Sequence, residues 1–310
     1  MSKHSPIIPD PEQGGTPPRA KGLTLVERAA KVYDFNGAVR APRPLRPVAE
    51  ASPQAAVPDA IDPSWAAAPA EPRRGSVNIE DLREGGFILP DAPPSALSEE
   101  FRIVKRQLLV AAEGLPHGRT ILVTSARPDD GKTFCAINLA LSLAAEKDVE
   151  VVLIDAEVAK PEILSTLGLE NGPGLLDAVA DPAVDVEACL IRTDIGGLTV
   201  LPAGRQTNEA TELLASARTN AVLERLRRRS PARVILFDSP PALAASPASA
   251  LAMHCGQALV VVRAEKTSER DLREALDLLA ACPKPQLLLN GVEYGGGSRR
   301  FGGGYYGYGD

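Results

Sequence analysis

The chain has 310 residues, a formal net charge of −6 and 44% hydrophobic residues: enough for one domain with appendages or for two, and too acidic, without a dominant basic stripe, for a nucleic-acid partner. Its four cysteines, Cys135, Cys189, Cys255 and Cys282, are widely spaced in apolar surroundings, which excludes a disulfide framework and a clustered metal site and reads as reduced core residues. No signal-like apolar segment opens the sequence and no run approaches the ~20 apolar residues that span a bilayer, so a cytoplasmic location is expected unless a partner tethers the chain to a membrane.

Sixteen of the 28 prolines fall within residues 1–94, a region also rich in alanine and arginine and without a sustained apolar period. Such a segment buries too little surface to offset its ordering entropy, so residues 1–94 are expected to be a largely disordered arm. Within it, 23–33 (LTLVERAAKVY) places Leu23, Val26, Ala29 and Ala30 at helical spacing. This reads equally as an amphipathic helix seeking a groove and as a transient helix without a partner. The globular domain is expected over residues 95–293, beginning with a helix at 97–113 that carries Phe101, Val104, Leu108 and Ala112 on one side. Glu99, Arg102 and Arg106 lie opposite, flanked by Lys105, as a solvated charged face.

Residues 124–134, TSARPDDGKTF, follow the apolar run Ile121-Leu122-Val123 and precede the helical pattern CAINLALSLAAE. A strand, a turn ending Gly-Lys-Thr and a helix make a phosphate-binding loop, in which backbone N–H groups and the helix N-terminus face a polyphosphate. Lys132 would reach the β and γ phosphates and Thr133 would place its hydroxyl on Mg²⁺. Ser125, Asp130, Gly131 and Phe134 complete the expected nucleotide contacts. The full pattern wants a glycine where Ala126 stands, and Gly131 supplies the second one.

Beyond the loop, apolar runs at 150–156, 198–204, 233–240, 257–264 and 286–292 alternate with helical patterns, which predicts a three-layer α/β fold with a mainly parallel sheet. The cluster Arg225, Arg227, Arg228 and Arg229 ends one helix, where its dipole favours cations. Two strand ends carry acids. Asp238 follows Val234–Phe237 and suits a metal-holding role; Asp155 follows Val151–Ile154, with Glu157 two residues on and able to face the same site. The last segment, 294–310, is a glycine-rich tail holding Tyr294, Tyr305, Tyr306 and Tyr308, four of the five tyrosines. Glycine-rich chain of this length explores ~20 Å, so these phenols read as substrates for the nucleotide site more readily than as an inert end.

The order TSARPDDGKTF, VVLIDAEVAKP, LPAGRQTNEATELLAS and VILFDSPPAL, followed by a tyrosine-rich tail, resembles the cytoplasmic bacterial tyrosine autokinases of exopolysaccharide and capsule export, a branch of the P-loop NTPases. The arm and the LSEEFRIVKRQLL helix are similar to the subgroup linked to exosortase-type loci. The resemblance implies transfer of the ATP γ-phosphoryl group to the protein's own tail tyrosines, with ATP and Mg²⁺ as cofactors. It implies Lys132, Asp155 and Asp238 as catalytic residues, Asp155 receiving or orienting the tyrosine proton, and Thr133, Asp155, Glu157 and Asp238 about the metal. It further implies a homo-oligomeric ring, a membrane polysaccharide copolymerase as activator and peripheral membrane association through that partner. The family's Glu-x-x-Arg-x-x-Arg assembly motif falls on Glu99, Arg102 and Lys105, with lysine last.

Three positions depart from the family pattern: Asp129 replaces glycine, Glu157 replaces aspartate and Ala159 replaces arginine. Asp129 brings negative charge towards the polyphosphate unless its side chain turns to solvent, so autophosphorylation slower than the family norm is expected. Two other readings stay open on sequence. One is a non-catalytic nucleotide-binding regulator of a copolymerase. The other is a partitioning or division-site ATPase, in which Arg127 would stand in for that group's extra lysine.

Overall fold

A computed structural model describes residues 71–292, all within one compact unit. The helix expected at 23–33 and the tail tyrosines Tyr294, Tyr305, Tyr306 and Tyr308 lie outside the described residues.

Among the described residues eight strands form one sheet: β1 (Arg73–Gly75), β2 (Thr120–Ser125), β3 (Glu150–Asp155), β4 (Ile191–Thr193), β5 (Leu198–Leu201), β6 (Arg233–Asp238), β7 (Gln257–Arg263) and β8 (Lys284–Asn290). The spatial order is β1-β4-β5-β3-β6-β2-β7-β8, and every neighbouring pair is parallel except β4 with β5. Strands β2, β3, β6 and β7, 6 or 7 residues long and apolar at consecutive positions, need cover on both faces, and they have it. Leu122, Val152, Ile154, Ile235 and Phe237 point into one core layer, whereas Ile121, Val123, Val151, Leu153 and Leu236 point into the other.

The second layer is closed by four helices, α1 (Ile79–Glu84), α2 (Ala96–Ala112), α3 (Lys132–Ala144) and α4 (Ile163–Leu167), through Leu82, Phe101, Leu108, Leu139, Leu143 and Ile163. The first layer is closed by α5 (Leu175–Ala180), α6 (Val186–Cys189), α7 (Ala210–Leu214), α8 (Ala217–Arg229), α9 (Pro247–Ala252) and α10 (Glu269–Leu278). The expected three-layer α/β architecture with a mainly parallel sheet is therefore present. The four cysteines are buried free thiols.

The folded unit begins earlier than residue 95. β1 extends the sheet beside β4, Leu82 of α1 is wholly buried, and the Ile88 backbone N–H donates to the buried Asn138 side chain on α3 at 2.7 Å. A three-residue strand and a six-residue helix among prolines are too short to show a period, so only their tertiary contacts reveal them. β4 escapes the sequence for the same reason. β8 differs from a strand buried on both faces: it is an edge, with Leu287 and Leu289 exposed. The arginines closing α8 are tied into the structure, Arg225 to Asp185 at 2.7 Å and Arg227 to the His254 carbonyl at 2.7 Å.

One charged face is corrected. Lys105 does not flank a solvated stripe; it is buried, donates to the Ser142 carbonyl at 2.7 Å and pairs with Glu146 at 2.7 Å. Its position one turn from Phe101 and Leu108 carries it beneath the helix, with its stem in the core and its ammonium neutralised. Glu99 and Arg102 pair with each other on the outer side of α2.

Candidate nucleotide site

The site lies at the carboxyl edge of the sheet, where parallel α/β folds place ligands. β2 ends at Ser125 and the loop returns as α3 at Lys132. Gly131 caps α3 in the left-handed region, φ 91°, and no side chain caps the helix. The first-turn N–H groups therefore remain available to an anion, and no acidic residue occupies that turn.

The loop residues divide into those that face the mouth and those that shape the turn. The Ser125 hydroxyl donates to the Arg127 carbonyl at 2.7 Å, and Asp130, 4% exposed, accepts the Arg127 N–H at 3.2 Å. The Phe134 ring packs on Phe87, centroids 5.0 Å apart, so that side chain faces the core. Asp129 has φ 64°, the left-handed region that glycine adopts at least cost, and its side chain is exposed. Two residues that sequence reasoning missed join the loop from far along the chain: Thr267, whose hydroxyl donates to Asp130 at 3.1 Å, and Asn290, whose amide donates to the Asp130 carbonyl at 3.0 Å. Asn290 carried a legible signal, a polar residue ending an apolar strand at the ligand edge, as Asp155 and Asp238 do.

The acids are placed by strand register. β3 and β6 are neighbours with Asp155 directly opposite Asp238, both essentially inaccessible to solvent. Asp155 accepts N–H groups from Glu157 at 3.3 Å and Ile163 at 3.1 Å. Neither oxygen of Asp238 has a hydrogen-bond partner; the Thr133 hydroxyl exerts a favourable pull on it from outside hydrogen-bonding geometry. Burial pushes both carboxyls up to about 7; repulsion from Glu157 adds to the rise of each, and repulsion from Asp155 adds to that of Asp238. Lys132 opposes the shift for both, and its ammonium pairs with Glu157 at 2.8 Å. One lysine thus stands among three acids.

A buried carboxylate with two empty acceptor positions is costly unless a cation arrives. Among the described residues no group of three or more His, Cys, Asp or Glu side chains forms a ready-made metal cage. That combination fits Mg²⁺, which is commonly held by one or two carboxylates, water and substrate phosphates. Thr133, Asp155, Glu157 and Asp238 are the residues that could hold it. The Cys135 thiol, pushed up to about 12 by burial and by the nearby Asp238, is no nucleophile.

Beside Glu157 opens a cavity of about 900 Å³, lined by Ala159, Gln206, Asn208, Thr211 and Ser246 among others. Its walls mix apolar residues, Val158, Pro240 and Pro247 among them, with polar ones and the Glu157 carboxylate, and the Gln206 amide fixes one rim by donating to the Val158 carbonyl at 2.8 Å. A second cleft, about 580 Å³, lies between residues 87–95 and α2 and contains none of these groups. Among the described residues no helix is long and apolar enough to cross a membrane.

No protein-family model matches the chain. It is 29% identical over 219 residues to "Tyrosine-protein kinase YwqD" of Bacillus subtilis, covering 69% of this chain and 88% of that protein. It is 28% identical over 205 residues to "Putative tyrosine-protein kinase EpsB" of Ralstonia nicotianae, covering 66% of this chain but only 27% of the relative. Among solved structures, the VpsO kinase domain superposes with a TM-score of 0.57 at 28% identity, covering 69% of this chain and 98% of that domain. In sequence and in fold, this chain is similar to bacterial proteins named tyrosine-protein kinases and to a tyrosine-kinase domain of known structure.

Proposed function

We infer that the chain is an ATP-dependent tyrosine autokinase whose substrates are its own tail tyrosines, Tyr294, Tyr305, Tyr306 and Tyr308, and that it acts in exopolysaccharide polymerisation or export. The observation that carries the nucleotide reading is the juxtaposition of Lys132 and an uncapped helix N-terminus with the orphaned, buried Asp238. What favours a kinase over another ATPase is the tyrosine cluster in the same chain, together with relatives named tyrosine-protein kinases.

Phosphoryl transfer asks the protein mainly for positioning and charge neutralisation. The amides of the loop and α3 would cradle the phosphates and Lys132 would neutralise them. Lys132 must first exchange Glu157 for phosphate oxygens, which leaves Glu157 free. Mg²⁺, held through Asp238, Thr133 and Glu157, would supply further neutralisation of the phosphate oxygens. Asp155, raised towards neutrality by burial, suits acceptance or orientation of the tyrosine proton. The cavity that Glu157 lines is where a phenol on glycine-rich chain would enter, between apolar residues such as Val158 and Pro240 and polar ones such as Gln206 and Asn208.

Delivery of the tail from a second copy implies a homo-oligomer, and Glu99 with Arg102 on the outer side of α2 is the surface we assign to it. Lys105, being buried, is not part of that surface. A membrane polysaccharide copolymerase as activator, with the chain cytoplasmic and recruited through it, completes the proposal. The Lys132–Glu157 pair and the left-handed Asp129 favour slow turnover. Incubating the full chain with Mg-ATP and reading tail phosphotyrosine by mass spectrometry tests the function. Phosphate should accumulate over minutes to hours on the tail and be absent in Lys132→Ala. An unmodified wild-type tail would instead favour a nucleotide-binding regulator.

A further inference from the structure

The phosphate loop has little of its own to hold it. It contains two left-handed residues, Asp129 and Gly131, and its exposed arch, Arg127 to Asp129, contributes no buried apolar side chain. A loop free to wander must be ordered by its ligand, and that ordering entropy is subtracted from affinity. In this chain the loop is ordered from elsewhere. Thr267, in the turn between β7 and α10, donates to the Asp130 carboxylate and is itself fixed by the Arg263 N–H at 2.8 Å. Asn290, the last residue of β8, donates to the Asp130 carbonyl, and its amide lies where a Cβ on Gly131 would come within 2.2 Å. Asp130 thus receives three hydrogen bonds, from Arg127, Thr267 and Asn290, while almost wholly buried.

We propose that Asn290 and Thr267 are positioning residues that hold the phosphate loop, at Asp130 and Gly131, in its binding shape before nucleotide arrives. This rests on the nucleotide reading given above. Neither residue is placed to touch the reacting atoms; both act through the loop backbone. The acids Asp155 and Asp238 stand on β3 and β6, across β2 from this brace, and do not depend on it. Its loss should therefore weaken ground-state and transition-state binding alike, raising KM for ATP and leaving kcat nearly unchanged. The brace is also separable from the strand that carries it. The Asn290 carbonyl accepts from the Ala264 N–H at 2.9 Å, a main-chain bond that survives any side-chain substitution.

The experiment is calorimetric titration of Mg-ADP into the full chain and into Asn290→Ala, Asn290→Asp, Thr267→Val and Thr267→Ser, with thermal midpoints recorded for each. Asn290→Ala and Thr267→Val should each weaken Mg-ADP by roughly tenfold, as for one buried hydrogen bond. Asn290→Asp, which sets a carboxylate against the Asp130 carbonyl, should do worse. Thr267→Ser, which keeps the hydroxyl, should bind as wild type does, a rescue that a merely structural role for the methyl group would not give. Should Asn290→Ala fail to fold, Thr267→Val and its serine rescue carry the same test. Affinities within about twofold of wild type for both Asn290→Ala and Thr267→Val overturn the brace and leave the nucleotide site standing. Wild-type protein that takes up no Mg-ADP removes the site itself and the brace with it.

Discussion

The two sides of the nucleotide site are built on different principles. The acidic side, Asp155 opposite Asp238, is set by main-chain register between β3 and β6, so the carboxylates are fixed and already stripped of water. The basic side is a loop whose shape comes from side chains 130 to 160 positions downstream, through contacts that single substitutions remove. A sheet can hold charge in an unfavourable place because its backbone bonds are many and mutually supporting. A loop can hold a ligand only as well as its few braces allow.

The largest expected effect comes from removing the cation that serves both sides. Lys132→Ala should lower Mg-ADP affinity by about 100-fold or more and reduce tail phosphotyrosine to background, since it leaves three acids facing the phosphates unopposed. Retained nucleotide affinity in calorimetry would show that the loop amides suffice and that the division just drawn is wrong.

The acidic side should show itself in the pH dependence of stability. Asp155 and Asp238 are raised by burial from ordinary carboxylate values to about 7, so between roughly pH 4 and 7 the folded protein holds more protons than the unfolded chain. Stability from these groups is greatest below the unfolded pKa and falls as pH rises through the folded one. His254, lowered by burial, works in the opposite direction below about pH 6.5. The clean measurement is therefore a difference: nucleotide-free Asp238→Asn should gain thermal midpoint relative to wild type from pH 5 to pH 8. A difference that stays flat would mean that the orphaned carboxylate costs nothing.

Smaller effects are expected on the loop. Asp129→Gly relieves a left-handed non-glycine residue and removes a charge near the phosphates, so Mg-ADP should bind roughly two- to fivefold tighter with a slightly higher melting point. Weaker binding would mean that Asp129 contacts the ligand. The smallest effect belongs to Arg127. Its guanidinium forks onto Asp271 at 2.6 and 2.9 Å and holds that carboxyl down to about 2, but the arginine is mostly exposed and screened. Arg127→Ala should change Mg-ADP affinity by about twofold or less; a larger loss would add this pair to the brace.

The sequence alone determined the loop, the runs that became β2, β3 and β5 to β8, the acids at two strand ends and the inertness of the cysteines. These are local facts: a turn chemistry, an apolar run, a polar residue ending it. Tertiary structure decided the rest. Helical spacing put Lys105 beside a charged stripe, and only the partner beneath α2, Glu146, shows that its ammonium turns inward. β1 and α1 are too short to carry a period and exist because β4 and α4 receive them. That Asp155 faces Asp238 is a matter of strand order, and that Asn290 reaches Asp130 is a matter of which strand ends gather at one edge. Periodicity and turn chemistry report what a segment is, whereas contacts between distant segments depend on a packing that no window of sequence contains.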